Sequence, residues 1–187
     1  MKQHIETEVR FLEVNAEELK AKLLKLGASD LGENNLKEVI FYDKAGEWQR
    51  EKVKFIRVRK DKNGTQMAFK QNLAATADGT KEIETSVGSF ENTIAFLETV
   101  GFNPFREQEK RRHSFKIDGV TVDIDTWPKI PTYVELEGET EDDLKQLAKK
   151  LGLDWSTADM HGATWVIENT YNIPVRTLRY FTFSKFE

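Results

Sequence analysis

The run His4-Ile5-Glu6-Thr7-Glu8-Val9-Arg10-Phe11 alternates residue by residue. Successive side chains of a strand point to opposite faces. Glu6, Glu8 and Arg10 therefore share one face, and Ile5, Val9 and Phe11 share the other. The pattern recurs along the chain. Arg57 alternates with Arg59, Glu82 with Glu84, Lys110 with Arg112, Asp123 with Asp125, and Glu135 with Glu137. One wet-faced strand accounts for one such run. A series on successive strands, with both signs of charge, points to charged faces that meet one another.

The rest of the chain says how those strands are connected. Asn15 followed by Ala16-Glu17-Glu18 reads as a helix cap with early acids, and that helix ends at Gly27. Strand-like runs follow at residues 36–42, 54–60 and 66–70, the last two joined by a turn at 61–64. Residues 71–80 read as a loop and 81–87 as a strand. A second helix covers 89–100. A hairpin follows, with strands 109–117 and 120–126 around Asp118-Gly119. The last strand is 133–138, and a third helix opens at Thr140 and runs to about Leu151. Strands in hairpins with a few helices predict an α+β fold with an antiparallel sheet. About eight strands can close into a small barrel.

The 187 residues suit a single domain with one sizeable core. The net charge of -4 disfavours a general nucleic-acid binder. The absence of cysteine excludes disulfides, thiolate metal sites and cysteine nucleophiles. No apolar leader or membrane-length run is present, so the expectation is a cytoplasmic protein with no membrane partner. The three histidines are scattered, and His113 reads as a surface residue. Trp127 and Tyr133 flank a proline-containing turn and read as loop packing. Residues 152–187 have no assigned role. Their packed-segment reading is preferred over one in which residues 179–186 pair with a sheet edge, a homodimer being one version of that pairing.

Charged faces turned inward would be costly unless paired, hydrated or bound to a ligand. Arg57, Arg59, Lys70, Lys110 and Arg112 offer donors suited to phosphate oxygens. Glu6, Glu8, Glu82, Glu84, Asp123, Asp125, Glu135 and Glu137 offer hard oxygen ligands, which suit magnesium or manganese better than zinc. Together they describe a site for a metal-bound polyphosphate.

The order of these pieces resembles the CYTH domains, also called triphosphate tunnel metalloenzymes. Glu6-Thr7-Glu8-Val9-Arg10 is similar to the family's Glu-x-Glu-x-Lys signature, with arginine in place of lysine. Ile40-Phe41-Tyr42-Asp43, Ile56-Arg57-Val58-Arg59, Phe69-Lys70, Glu82-Ile83-Glu84, Lys110-Arg111-Arg112 and Val134-Glu135-Leu136-Glu137 follow in family order. The resemblance spans about residues 3–151. It implies a closed eight-stranded antiparallel β-barrel, a tunnel with peripheral helices. It also implies triphosphate binding by Arg10, Arg57, Arg59, Lys70, Lys110 and Arg112. Magnesium or manganese would be held by Glu6, Glu8, Asp125, Glu135 and Glu137, with Glu6, Glu8 and Arg10 catalytic. Glu82, Glu84 and Asp123 would line the tunnel, Asp123 ranking below Asp125 on spacing. The implied activity is hydrolysis of inorganic, thiamine or nucleoside triphosphate. The alternatives are a class IV adenylyl cyclase, making cyclic AMP and pyrophosphate, and a non-catalytic polyphosphate- or nucleic-acid-binding module. Arginine at position 10 keeps the charge but is no proton acceptor.

Overall fold

The structure is a computed structural model and describes residues 4–51, 54–72 and 80–187. The elements run β1 (His4–Phe11), α1 (Ala16–Lys25), β2 (Ser29–Asp43), α2 (Glu47–Glu51), β3 (Lys54–Asp61), β4 (Gly64–Asn72), β5 (Thr80–Val87), α3 (Phe90–Thr99), β6 (Phe102–Ile117), β7 (Val120–Thr126), β8 (Tyr133–Gly138), α4 (Glu141–Leu151), α5 (Ala163–Asn169) and β9 (Tyr180–Phe181). No helix among the described residues is long and apolar enough to cross a membrane.

Local chemistry sets the helix ends. The Asn15 side chain accepts from the Glu18 amide and Thr140 from the Asp143 amide, each satisfying a donor that the first turn leaves open. Gly152 ends α4 at a φ of 70°, where a side chain would be strained.

All eight long strands pair antiparallel, in the order β2-β3-β4-β5-β1-β8-β7-β6, and β6 also pairs with β2. The expected barrel is corrected in one respect: the sheet is curled into a half-barrel rather than evenly closed. Among the described residues the seam between β1 and β5 joins His4–Glu82, Ile5–Lys81 and Glu6–Thr80, while β1 pairs with β8 from Thr7–Gly138 to Phe11–Val134. On the other side, β2 and β6 pair from Ser29–Lys116 to Asp43–Phe102. That ladder makes both strands start seven residues before their patterned cores do, at Ser29 and Phe102. Helix α2 has no counterpart in the expected elements. Of the expected loop at 71–80, residues 73–79 lie outside the described residues; Gln71 and Asn72 belong to β4, and Thr80 to β5.

The apolar faces of the strands turn outward, under the helices. Val9, Phe115, Val122, Val134 and Leu136 pack beneath Leu19 and Leu23 of α1 and Leu144, Leu147 and Leu151 of α4. Val39, Phe41 and Val58 pack beneath Phe90 and Leu97 of α3. The tail forms a third cluster, with Ile167, Val175 and Phe181 against Trp127 and Tyr133. Strand β9 then lies parallel to β6 of its own chain at Glu107 and Gln108, so the tail both packs and pairs with a sheet edge, within one chain. With three apolar clusters outside or at its end, the inner face of the sheet is left to charged side chains.

Candidate functional site

Strand alternation places the charges, and strand pairing chooses their partners. On β1 and β8, Glu8 lies opposite Glu137 and Arg10 opposite Glu135. Arg10 Nη2 bonds Glu135 Oε2 at 2.7 Å and Glu8 Oε1 at 2.8 Å, and Nη1 donates to the His161 carbonyl at 2.6 Å. Burial would push this guanidinium down, but Glu8 and Glu135 hold it well above its ordinary value.

A second cluster lies on β6, β7 and β8. Arg112 forks onto Asp125, with Nε to Oδ1 and Nη2 to Oδ2 both at 2.6 Å. It also pairs with Asp123 and reaches Glu135 at 3.2 Å. Lys110 Nζ meets the other side of Asp125 at 2.7 Å. Burial and the charge of Arg112 lower the Lys110 ammonium, with Asp125 opposing them. Burial opposes the charge on Arg112 too, but Asp125 and Asp123 carry that guanidinium well above its ordinary value. Asp123 itself is raised by burial, against the pull of Arg112.

The opposite wall comes from β2 to β5. Arg57 pairs with Glu82 at 3.1 Å and Glu84 at 3.4 Å, and its Nε faces Glu38 at 3.9 Å. Lys70 meets Glu82 at 2.9 Å. Arg59 meets Glu84 at 3.3 Å and Gln66 at 2.6 Å. Burial works against the Glu38 carboxylate, yet Arg57, Lys110 and Arg59 hold its acid at about 2.

These walls enclose a cavity of about 490 Å³. Glu8, Arg10, Arg57, Arg59, Lys70, Glu82, Glu84, Lys110, Arg112, Glu135 and Glu137 all line it. Asp123 and Asp125 do not; they lie behind Arg112, and Asp125 is fully buried. The side chain of Glu6 lies outside the described residues. The Nε atoms of Arg10 and Arg59 are buried with no hydrogen-bond partner among the described residues. Such donors are costly unless something occupies the cavity.

Other lining residues escaped the sequence reading: Glu38, Arg106, Gln108, Arg176 and the stretch from Gly162 to Trp165. Arg106 and Gln108 were findable, since they extend the Lys110/Arg112 alternation by two more steps toward the start of β6. Glu38 was a lone acid beside an apolar run. The tail residues carry no local signal. Trp127 packs as expected, donating from Nε1 to the Tyr133 hydroxyl at 2.8 Å, but it also lines the cavity with Lys110 Nζ 5.1 Å from its ring. His113 stands apart from the cavity, bonded to Asp30 and stacked on Phe115.

The carboxylates differ in what remains to them. Asp125 and Glu135 are engaged by cations on more than one side. Glu137 faces Glu8 across the strand pair, and burial together with Glu135, Glu8 and Asp123 raises its acid. Like charges directly opposite are unfavourable unless a cation intervenes. Among the described residues no group of three or more acidic or histidine side chains is arranged to hold a metal ion. A two-carboxylate, oxygen-only arrangement is still how magnesium is commonly held, because phosphates and water complete its shell.

The family model of the CYTH domain matches residues 4–158. No curated protein matches the chain. Among solved structures, the PH1012 protein of Pyrococcus horikoshii OT3 is 25% identical, with a TM-score of 0.69 over 84% of this chain and 96% of that one. A proposed adenylate cyclase of Vibrio parahaemolyticus has a TM-score of 0.74 at 14% identity, covering 89% of this chain and 99% of its own. The Hippeastrum protein HpAC1, described as having a dominant triphosphatase activity, has a TM-score of 0.61 at 14% identity, covering 91% and 98%.

Proposed function

This chain belongs to the CYTH domain family, and from that premise we propose that it is a metal-dependent enzyme acting on a triphosphate, by hydrolysis. One observation carries the reading. A single cavity gathers cations from four different strands, β1, β3, β4 and β6, and carboxylates already hold most of them in place. Donors fixed before the ligand arrives need no reorganisation when charge develops on phosphate oxygens.

In this reading Arg57, Arg59, Lys70, Lys110, Arg10 and Arg112 bind the phosphate oxygens. Asp125 positions Lys110 and Arg112, and Glu38 positions Arg57. Glu8 and Glu137 would hold magnesium or manganese, with Glu6 joining them on the family resemblance alone. The metal would supply charge neutralisation at the phosphoryl group. Asp125 and Glu135 were grouped with the ligands by resemblance; their ion pairs favour a positioning role instead. A water molecule attacks the terminal phosphorus, the bridging P–O bond breaks, and diphosphate leaves with the bond's electrons. The water's proton goes to a carboxylate oxygen. Arg10 stays charged throughout and is therefore not the acceptor.

A second reading, cyclisation of ATP to cyclic AMP and pyrophosphate, gains from Trp127 and Trp165, which put aromatic surface in the cavity. The test is incubation with inorganic triphosphate and, separately, ATP, each with magnesium or manganese, and chromatography of the products. Orthophosphate release is the expected result. Cyclic AMP would replace hydrolysis by the second reading. Binding without turnover of either would leave a sensor.

A further inference from the structure

Arg106 differs from every other cation in the cavity. Among the described residues, each of the others has a carboxylate within 4.0 Å, as Lys54 has Glu51 and Arg176 has Glu168. Arg106 has none, although it is only 2% exposed. Its contacts are neutral: Nε donates to Gln108 Oε1 at 2.8 Å, and Nη1 donates to the Val175 carbonyl at 2.8 Å. These two bonds fix the plane of the guanidinium and leave further N–H groups for the cavity. A buried cation without a counter-ion is expensive, and here burial pushes the guanidinium down to about 10. Chains retain such a group where an anion arrives to complete it.

Its place in the cavity says which anion. Arg106 sits near the start of β6, and Lys110 lies on the same face about 13 Å further along the strand. Gln108 lies between them, oriented by its own bond to Glu38 at 2.6 Å. Tyr42 and, from the tail, Arg176 line the same cavity. The polar row on β6 is therefore longer than three linked phosphoryl groups need.

We propose that Arg106 forms a second anion subsite of the cavity, one that takes a fourth phosphoryl group in line with the three bound by the central cations. This rests on the reading of those cations as a triphosphate site. The fourth group could come from an inorganic polyphosphate chain or from a nucleoside polyphosphate.

The experiment is calorimetric binding of inorganic triphosphate, inorganic tetraphosphate, ATP and adenosine 5′-tetraphosphate, without metal so that nothing is turned over. The whole chain is compared with Arg106→Met and Arg106→Lys. The wild type should bind a tetraphosphate more tightly than the matching triphosphate, on the order of tenfold, as expected for one charge-assisted hydrogen bond. Arg106→Met should lose that preference while changing triphosphate affinity little, and Arg106→Lys should keep part of it. A preference left intact in Arg106→Met, with a lower melting point from the lost bonds to Gln108 and Val175, would make Arg106 a tail anchor and overturn the subsite. Equal affinity for both lengths in the wild type would overturn it while leaving the triphosphate reading standing. Failure of the wild type to bind triphosphate at all would remove both. A preference in the inorganic pair alone identifies a polyphosphate chain, and one in the nucleotide pair alone identifies a nucleoside polyphosphate.

Discussion

Glu135 and Leu136 are neighbours on β8 and belong to different environments. Leu136 is fully buried on the outer face of the sheet, among the side chains of α1 and α4. Glu135 is buried on the inner face, held between Arg10 and Arg112. Both faces bury these side chains, but the outer one does so by dispersion and hydrophobic transfer, which need only shape and volume. The inner one does so by matching charge to charge, which needs specific partners. The outer face can stabilise the fold without any ligand. Among the described residues the inner face keeps buried donors unsatisfied, on Arg10 and Arg59, and two facing carboxylates on Glu8 and Glu137. That is the signature of a surface built for something that is added later.

The comparison can be broken most severely at Asp125. It lies on the inner side yet is fully buried and holds both Lys110 and Arg112. Asp125→Ala takes the carboxylate from Lys110 and leaves Arg112 to Asp123 and Glu135, and a loss of about 3–5 kcal/mol is expected in chemical denaturation. A near-neutral result would mean that the inner ion pairs are not structural at all. On the outer face, Leu136→Ala should cost about 2–5 kcal/mol in the same measurement, with ligand affinity unchanged in the protein that remains folded.

Arg57→Ala should do the reverse. It should weaken triphosphate binding by about 1.5–3 kcal/mol per charged hydrogen bond lost, measured by calorimetry, and by a similar factor for every triphosphate. The smallest effect concerns Glu137. Its acid is raised in the fold by burial and neighbouring carboxylates, so the folded state holds its proton more tightly than the unfolded chain does. Without metal, stability should therefore fall as pH rises from the ordinary carboxylate range through the raised value. Glu137→Gln should flatten that part of the melting-temperature profile and remove the stabilisation that added magnesium or manganese gives. An unchanged profile would take Glu137 out of the metal site.

Much of this was legible because alternation is a local property. The period of two put Arg57 with Arg59 and Glu135 with Glu137 on common faces before any pairing was known. Two of the three long helices were legible from their caps, Asn15 and Thr140, each of which satisfies a first-turn amide from its own side chain. The early halves of β2 and β6 were not legible. Ser29 to Asn35 and Phe102 to Gln108 become strands by pairing across some seventy residues of chain, and neither segment has a strong pattern of its own. Residues such as Arg106 and Gln108 were missed for that reason, although the same alternation ran through them.

By itself, then, the sequence determined which side chains share a face and which charges those faces carry, because strand geometry sets that residue by residue. Only the tertiary structure decided which face turned inward, which carboxylate each cation received, and that the tail supplied Arg176 and the Val175 carbonyl to the cavity's end. Those outcomes depend on strand order, register and the docking of α1, α3 and α4. They are long-range contacts between segments that carry no local mark of one another.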